Sequence, residues 1–484
     1  MSTDTTTAAT GAPGTAPRTQ IFEVSTLYGA ATLAAALDAG LFGPDEAAEE
    51  RILLVSNNAA VPETAALLTE MPGFDRILTR FDRVLSWNDA IEPQHPGSWT
   101  PREHDVPLWR RLLRTVWELP DGPMDLVIES VHAKHAVALA AIFSEADVHV
   151  YADGLMSYGP TRDRLAWPTA VRIQRLLHLD LVPGLRPMLL TEFDVPAEIV
   201  PSAAFRAVLD EITEAEGAEE AESALAALAE PSEPSERDAA ADREPTAVVL
   251  GQYLAALNIL SQEEEERLHE RMVRGAAAAG CRSVVFKPHP TAPSRYNKAL
   301  EKVAAEVGVR LTLLETPMLA ETVFRRLRPD LVVGCFSTAL LTASAYYSIP
   351  IARVGTDSVL GAITPYENSN RVPLTIVDAL VPDLEERRAG EVVTERADAG
   401  AKIGPLVRTV GYCMQHKRYP GLRAEAQEWL AAHQGKAATR YVNRARLTTL
   451  ALPGGIAAGL TSQLPGGRAA LRMARKVRRT MRRG

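Results

Sequence analysis

Four short segments carry the residue types that group transfer requires. In YADGLMSYG, residues 151–159, a lone carboxylate, Asp153, follows the apolar-alternating run DVHV and is itself followed by glycine. Asp-Gly is a common turn dipeptide, and an aspartate at the C-terminal edge of a strand is also well placed to act as a general base. VVFKPHPTAP sets Lys287 and His289 in a loop that Pro288 and Pro290 hold in a fixed, non-helical form. Such a histidine can give a proton to a departing phosphate or meet its charge as imidazolium; otherwise it is a loop residue satisfied by backbone. GCFSTALLTASAYYSIP places Ser337 and Thr338 where strand passes to helix, which makes either an anion site or a plain N-cap. Between these loops Glu321 begins a helix, as a ribose contact or as a solvated surface glutamate.

Several chemistries are excluded by absence. Neither GxGxxG nor GxxxxGK[ST] occurs, so dinucleotide and P-loop sites are not expected. No Asp-x-Asp occurs either, and a transferase that grips a nucleotide diphosphate through a metal usually needs such paired oxygen ligands. Protein donors must then neutralise any phosphate, and neither metal nor cofactor is expected.

The elements that must position these residues alternate. Strand-like runs at 19–25, 51–56, 124–130 and 147–151 are separated by helix-like stretches such as AATLAAALDAG and AKHAVALAAIF. The pattern restarts at 246–254 and continues through SVVFKPHP, VRLTLLE, DLVVGCFS and IPIARVG. Strand–helix–strand spacing of this kind predicts parallel βαβ units, with ligand loops at the C-terminal strand ends. Two such halves predict an α/β protein with Rossmann-like domains facing a cleft. The later segment LVRTVGYCMQHKRYPGLRAEAQEWLAAH reads as helix that packs back across them.

Composition fixes the remaining organisation. A chain of 484 residues is too long for one ordinary domain. Residues 1–18 read as a disordered leader of small polar residues rather than a secretory signal. The domains are expected at 19–205 and 247–405, an acidic low-complexity linker at 206–246, helices at 406–435 and a basic tail at 436–484. From Lys436 onward there are 12 basic residues and no acidic one, so of the total charge of −9 the remainder carries −21. An acidic body argues against nucleic-acid binding. The tail suits either an anionic membrane surface or free solution. Cys281, Cys335 and Cys413 share no metal or disulfide spacing, and a reducing cytoplasm is the expected compartment, with peripheral inner-membrane contact through the tail.

The motifs and their order resemble the bacterial capsular α-2,8-polysialyltransferases. Ala152-Asp153-Gly154 stands at that family's (D/E)(D/E)G motif, Lys287-Pro288-His289-Pro290 at its HP motif and Ser337-Thr338 at its Ser-Ser/Thr pair, over about residues 19–357. The resemblance implies a GT-B fold and an inverting, metal-free transfer of sialic acid or a related nonulosonic acid from a CMP-sugar to a glycan acceptor. It makes Asp153 the base and His289 the acid. Lys287, Pro290, Ser337 and Thr338 become phosphate-side donor contacts, with Gly251 beside them, and Glu321 the ribose contact. Thr26, Asn57 and His132, just beyond strands of the first half, are further candidates on the acceptor side. The family's first acidic position is Ala152 here, which bears on acceptor specificity.

Two other functions fit parts of the pattern. CDP-glycerol glycerophosphotransferases of cell-wall polymer synthesis carry a similar KPHP loop and serine turn, but here Val333-Gly334-Cys335-Phe336 precede Ser337 where Thr-Asp-Tyr is expected. A non-catalytic scaffold of a surface-glycan assembly would suit the acidic linker and basic tail.

Overall fold

The computed structural model describes residues 18–44, 48–59, 61–62, 65–215, 244–289, 297–314, 317–386, 398–433 and 435–456. The first half builds a seven-stranded sheet from β1 (Arg18–Val24), β2 (Ala48–Val55), β3 (Arg83–Ser86), β4 (Met124–Ile128), β5 (Asp147–Ala152), β6 (Ile173–Leu179) and β7 (Ala197–Val200). Its order is β3-β2-β1-β4-β5-β6-β7, and every pairing is parallel. Both faces are covered, which is why runs such as MDLVI are buried throughout, Asp125 within it being paired with Arg18. Among the flanking helices are α1 (Leu27–Asp38), α2 (Lys134–Ile142) and α3 (Ser202–Glu214).

The second half repeats the design on five strands: β8 (Thr246–Leu250), β9 (Ser283–Lys287), β10 (Arg310–Leu313), β11 (Leu331–Gly334) and β12 (Ile351–Arg353), ordered β10-β9-β8-β11-β12. These pairings are parallel too. Helix α4 (Gln262–Ala278) starts at a capping box in which Ser261 and Glu264 satisfy each other's backbone N–H. Helices α5 (Ala320–Leu327), α6 (Thr338–Tyr347) and α7 (Arg371–Leu380) follow. In each sheet the strand order reverses once, between β1 and β4 and between β8 and β11. The crevice outside such a reversal is the standard ligand position of open α/β sheets.

The halves are joined by more than a linker. Helix α8 (Ala399–Gln415) returns to the first domain, where the Gly400 N–H donates to Pro183 O at 3.0 Å. A Cβ at Gly400 would lie 2.1 Å from the Leu185 nitrogen, so only glycine permits this approach. Just beyond, the Tyr419 hydroxyl donates to Met188 O and Glu192, and Arg418 donates to Thr161 O at 2.6 Å. On another side α3 meets α5, with Arg326 donating to Thr213 O at 2.6 Å. The expected packing of the late helical segment across both domains is therefore observed.

Three boundaries fall differently from the sequence reading. Helix α3 carries the first domain to Glu214, past the expected end at 205, because Phe205, Val208, Leu209 and Ile212 are buried on one face. The second domain begins one residue early, at Thr246. The segment from 436 does not start as a free tail: after α9 (Arg423–Ala432) come α10 (Lys436–Tyr441) and α11 (Arg444–Leu450). Val442 and Leu447 are buried there, Arg440 pairs with Asp378 at 2.5 Å, and Arg446 donates to Cys413 O at 2.7 Å. The leader at 1–17, most of the linker and the basic stretch from 457 lie outside the described residues. Among those described, no helix is long and apolar enough to cross a membrane.

Candidate functional site

Asp153 stands immediately after β5, at the C-terminal edge of the first sheet. The Asp-Gly turn is real: Gly154 O accepts from the Ser157 hydroxyl at 3.0 Å and opens a 3-10 turn, Leu155–Tyr158. The carboxyl is pushed up to about 6, by burial first and then by the charge of Glu321, against a stabilising backbone hydrogen bond. Asp153 thus titrates near neutrality, and above that point its carboxylate is in the form that can accept a proton.

The second half supplies cationic and neutral donors. Lys287 closes β9; burial lowers its pKa and the Glu321 carboxylate partly offsets this. His289 is stacked on Tyr253, with ring centroids 3.9 Å apart and 29° between planes. Burial, and then the Lys287 charge, bring its pKa down to about 4. In the ligand-free protein His289 is therefore neutral, and its imidazolium form requires a nearby anion. Gly251 follows β8 and donates its N–H to Lys287 O at 2.8 Å. A Cβ there would stand 2.9 Å from the Phe286 ring and 3.0 Å from Pro288 Cα, so glycine is what lets the KPHP loop pack down. Pro290 lies outside the described residues.

Ser337 caps α6, accepting from the Ala339 N–H, and Thr338 is its first helical residue. Both sit beside the β8/β11 reversal, where the helix leaves N–H groups for an anion. Glu321 is not a solvated surface residue. It is 3% exposed, accepts from the Thr342 hydroxyl at 2.6 Å, and has its pKa raised by burial against that bond and Lys287. A ribose hydroxyl would have to share this carboxyl with Thr342.

These two sets of residues meet. A Cβ at Gly154 would be 3.2 Å from the Thr338 Oγ1, so the loop after β5 touches the start of α6 across the domain boundary. Glu321 of the second domain acts electrostatically on Asp153 of the first and on Lys287, and Lys287 acts on His289. The Tyr28 hydroxyl, buried without a hydrogen-bond partner, also feels both Glu321 and Asp153.

The three remaining candidates do not join this group by contact. Thr26 caps α1 by accepting from the Gly29 N–H at 2.9 Å. Asn57 is consumed by its own loop, exchanging hydrogen bonds with Asn88 and donating to Pro62 O. His132 is half-buried; burial lowers its pKa, and Asp163, Arg418, Arg162 and Glu192 act on it at the α8 crossover. Sequence reasoning missed a cluster at the β1/β4 reversal. Glu23, Glu129 and His135 place a carboxylate oxygen or ring nitrogen within 4.8 Å of one another. Glu129 follows β4 as Asp153 follows β5, and that parallel was a usable signal. Tyr253, two residues after Gly251, was equally visible as an aromatic at a strand end. His135 Nε2 lies 3.1 Å from Glu23 Oε1, and the charge and hydrogen bond of Glu23 raise the His135 pKa although burial alone lowers it.

No curated protein matches the chain. Among solved structures, the GT-B domain of a sialyltransferase from Photobacterium damselae is 11% identical, covers 75% of this chain and 96% of its own, and has a TM-score of 0.37. A 2,6-sialyltransferase of Vibrionaceae Photobacterium sp. JT-ISH-224, solved with CMP and lactose, is 13% identical over 76% of this chain and 78% of its own, with a TM-score of 0.38. A UDP-N-acetylglucosamine 2-epimerase from Listeria monocytogenes is 12% identical over 81% and 96%, with a TM-score of 0.39. The family model described as alpha-2,8-polysialyltransferase (POLYST) matches residues 20–356. That match takes in both sheets and every candidate loop, and the chain belongs to the alpha-2,8-polysialyltransferase family of glycosyltransferases.

Proposed function

We propose that the protein transfers sialic acid or a related nonulosonic acid from a CMP-sugar to a hydroxyl of a glycan acceptor, with inversion and without a metal. The observation that carries this reading is the approach of Gly154 to Thr338. It sets the motif loop of the first domain, which carries Asp153, against the start of α6 in the second. Asp153 accepts the proton of the acceptor hydroxyl as that oxygen bonds to the anomeric carbon. The bond from this carbon to the phosphate oxygen of the donor breaks, and CMP leaves with the electron pair. Lys287, the N–H groups at the start of α6 and the hydroxyls of Ser337 and Thr338 meet the phosphate charge. His289 enters neutral with one ring N–H that donates a hydrogen bond to the phosphate; as the phosphate charge raises its basicity it takes up a proton from solvent, and it gives that proton to the departing phosphate. A low-polarity crevice strengthens each of these interactions and keeps out water, whose attack would hydrolyse the donor.

The experiment is a donor screen of the purified protein with an oligosialic or other glycan acceptor, following CMP release with and without EDTA. Acceptor-dependent CMP release from a CMP-nonulosonic acid that survives EDTA is expected. Turnover of CDP-glycerol instead would replace this reading with glycerophosphate transfer, and no turnover with any activated donor would favour a scaffold.

A further inference from the structure

Glu129 and Asp153 stand at the ends of neighbouring strands. β4 and β5 pair in parallel with Ile128 beside Val150, so Glu129 aligns with Tyr151 and Asp153 lies one alternation further on the same face. Glu129 is held from its other side. The Ser25 hydroxyl donates to its Oε2, and its own N–H donates to Glu23 Oε2 at 3.0 Å. Glu23 is fully buried, is paired with His135 at 3.1 Å, and its carbonyl accepts from the Tyr151 hydroxyl at 3.1 Å. Glu129 therefore has the Glu23 carboxylate on one flank and that of Asp153 on the other. Three carboxyls set around one imidazole, with Glu23 fully buried and Glu129 and Asp153 partly so, repel one another enough that they do not all ionise together. Residue 152 is alanine, so β5 itself offers no second carboxyl beside Asp153; β4 does.

We propose that Glu129 is a positioning residue that keeps the proton this group of carboxyls must retain, remaining a neutral hydrogen-bond donor so that Asp153 stays ionised as the base. The inference rests on the assignment of Asp153 above. The charged and titratable groups facing the pair are Glu23 on β1, His135 on α2, Tyr151 on β5, Tyr28 on α1 and Glu321 on α5, with Lys287 beyond Glu321. The titration order agrees: Glu129 is pushed up to about 8 by burial, then by Glu23 and Asp153, above the value of about 6 for Asp153. Between those values Asp153 is ionised and Glu129 is not, the separation of roles expected when environments drive two carboxyls apart.

The test is the pH dependence of kcat/KM for CMP-sugar turnover in the wild type, Glu129→Gln, Glu129→Asp and Glu23→Gln. The wild type should rise through about pH 6 as Asp153 ionises and fall above about pH 8, where Glu129 ionises and no longer offers its proton as a hydrogen-bond donor. Glu129→Gln should lose the descending limb whatever its absolute rate, because an amide has no proton to give up, and Glu129→Asp should restore it. Glu23→Gln should move the limb down by about one pH unit, since removing a neighbouring negative charge makes Glu129 easier to ionise. A descending limb at the same pH in Glu129→Gln would overturn the inference and assign the limb to another group such as Lys287. Should Glu129→Gln fail to fold, the Glu23→Gln shift decides: a downward shift supports the inference and an unmoved limb overturns it. Asp153→Asn separates the two layers. Retained turnover there refutes the base itself, whereas an inactive Asp153→Asn beside an unmoved limb in Glu129→Gln refutes only the role of Glu129.

Discussion

Burial drives the two central residues toward their neutral forms, and for a carboxylate and an imidazole these are opposite directions. Asp153 rises to about 6 and His289 falls to about 4, so at neutral pH the resting site holds an ionised carboxylate and an uncharged imidazole. The pH dependence follows with its sign: kcat/KM should climb through about pH 6 as Asp153 loses its proton. Asp153→Asn should remove that limb along with roughly 10²–10⁴ of the rate. His289 makes a second prediction, because a phosphate beside it favours the imidazolium. Its pKa, followed by NMR of the ring protons, should lie below the ordinary 6.5 in the free protein and rise when CMP is added. A pKa that CMP leaves unmoved would mean that His289 does not face the phosphate. These two residues were legible in the sequence, since an Asp-Gly after a strand and a histidine between prolines each declare a fixed loop. The protonation state of His289 was not legible, because it depends on burial and on Lys287.

At the scale of elements, the two strand-order reversals explain why short loops far apart in sequence gather at the C-terminal edges of the two sheets. Gly251 after β8, the KPHP loop after β9 and the start of α6 after β11 all open beside the second reversal. Gly251→Ala should therefore cost about 1–3 kcal/mol through overpacking against Phe286 and Pro288, seen as a lowered Tm and a lowered CMP affinity. An unchanged Tm would show that the loop yields easily. Ser337→Ala removes the cap of α6 and should cost about 1 kcal/mol of stability, with weaker donor binding. Most strands could be read from their apolar runs, but β3, β6 and β7 could not. β3 is four residues long, β7 is an edge strand whose burial alternates, and β6 interrupts its apolar positions with Gln174, Arg175 and His178. Glu129 was visible at the end of β4, yet its meaning required the alignment of β4 with β5 and the arrival of Glu23 and His135 from other elements.

Across the whole molecule, helix α8 and the segment after it tie the first domain to the second, and the tail is divided. Tyr419→Phe removes the hydroxyl that accepts from the buried Thr161 N–H; leaving that donor unpaired should cost about 1–3 kcal/mol, measurable by denaturant titration. Of the basic residues from 436 to 446, Arg440 pairs with Asp378 and Arg446 with Glu367, whereas eight more lie beyond residue 456. Truncation after residue 456 should abolish salt-sensitive sedimentation with phosphatidylserine vesicles while leaving CMP release with a soluble acceptor intact; vesicle binding that persists would place the contact elsewhere. The division of charge was legible from composition, but the docking of α10 and α11 was not, because Asp378 and Glu367, their partners, lie far back in the chain. The most direct test of the central claim combines donor binding with turnover in Asp153→Asn, assayed with a CMP-nonulosonic acid, acceptor and EDTA. Donor affinity should stay within a few-fold of the wild type while acceptor-dependent CMP release falls by orders of magnitude. Release at the wild-type rate in that variant would contradict a base working across the cleft from the KPHP loop.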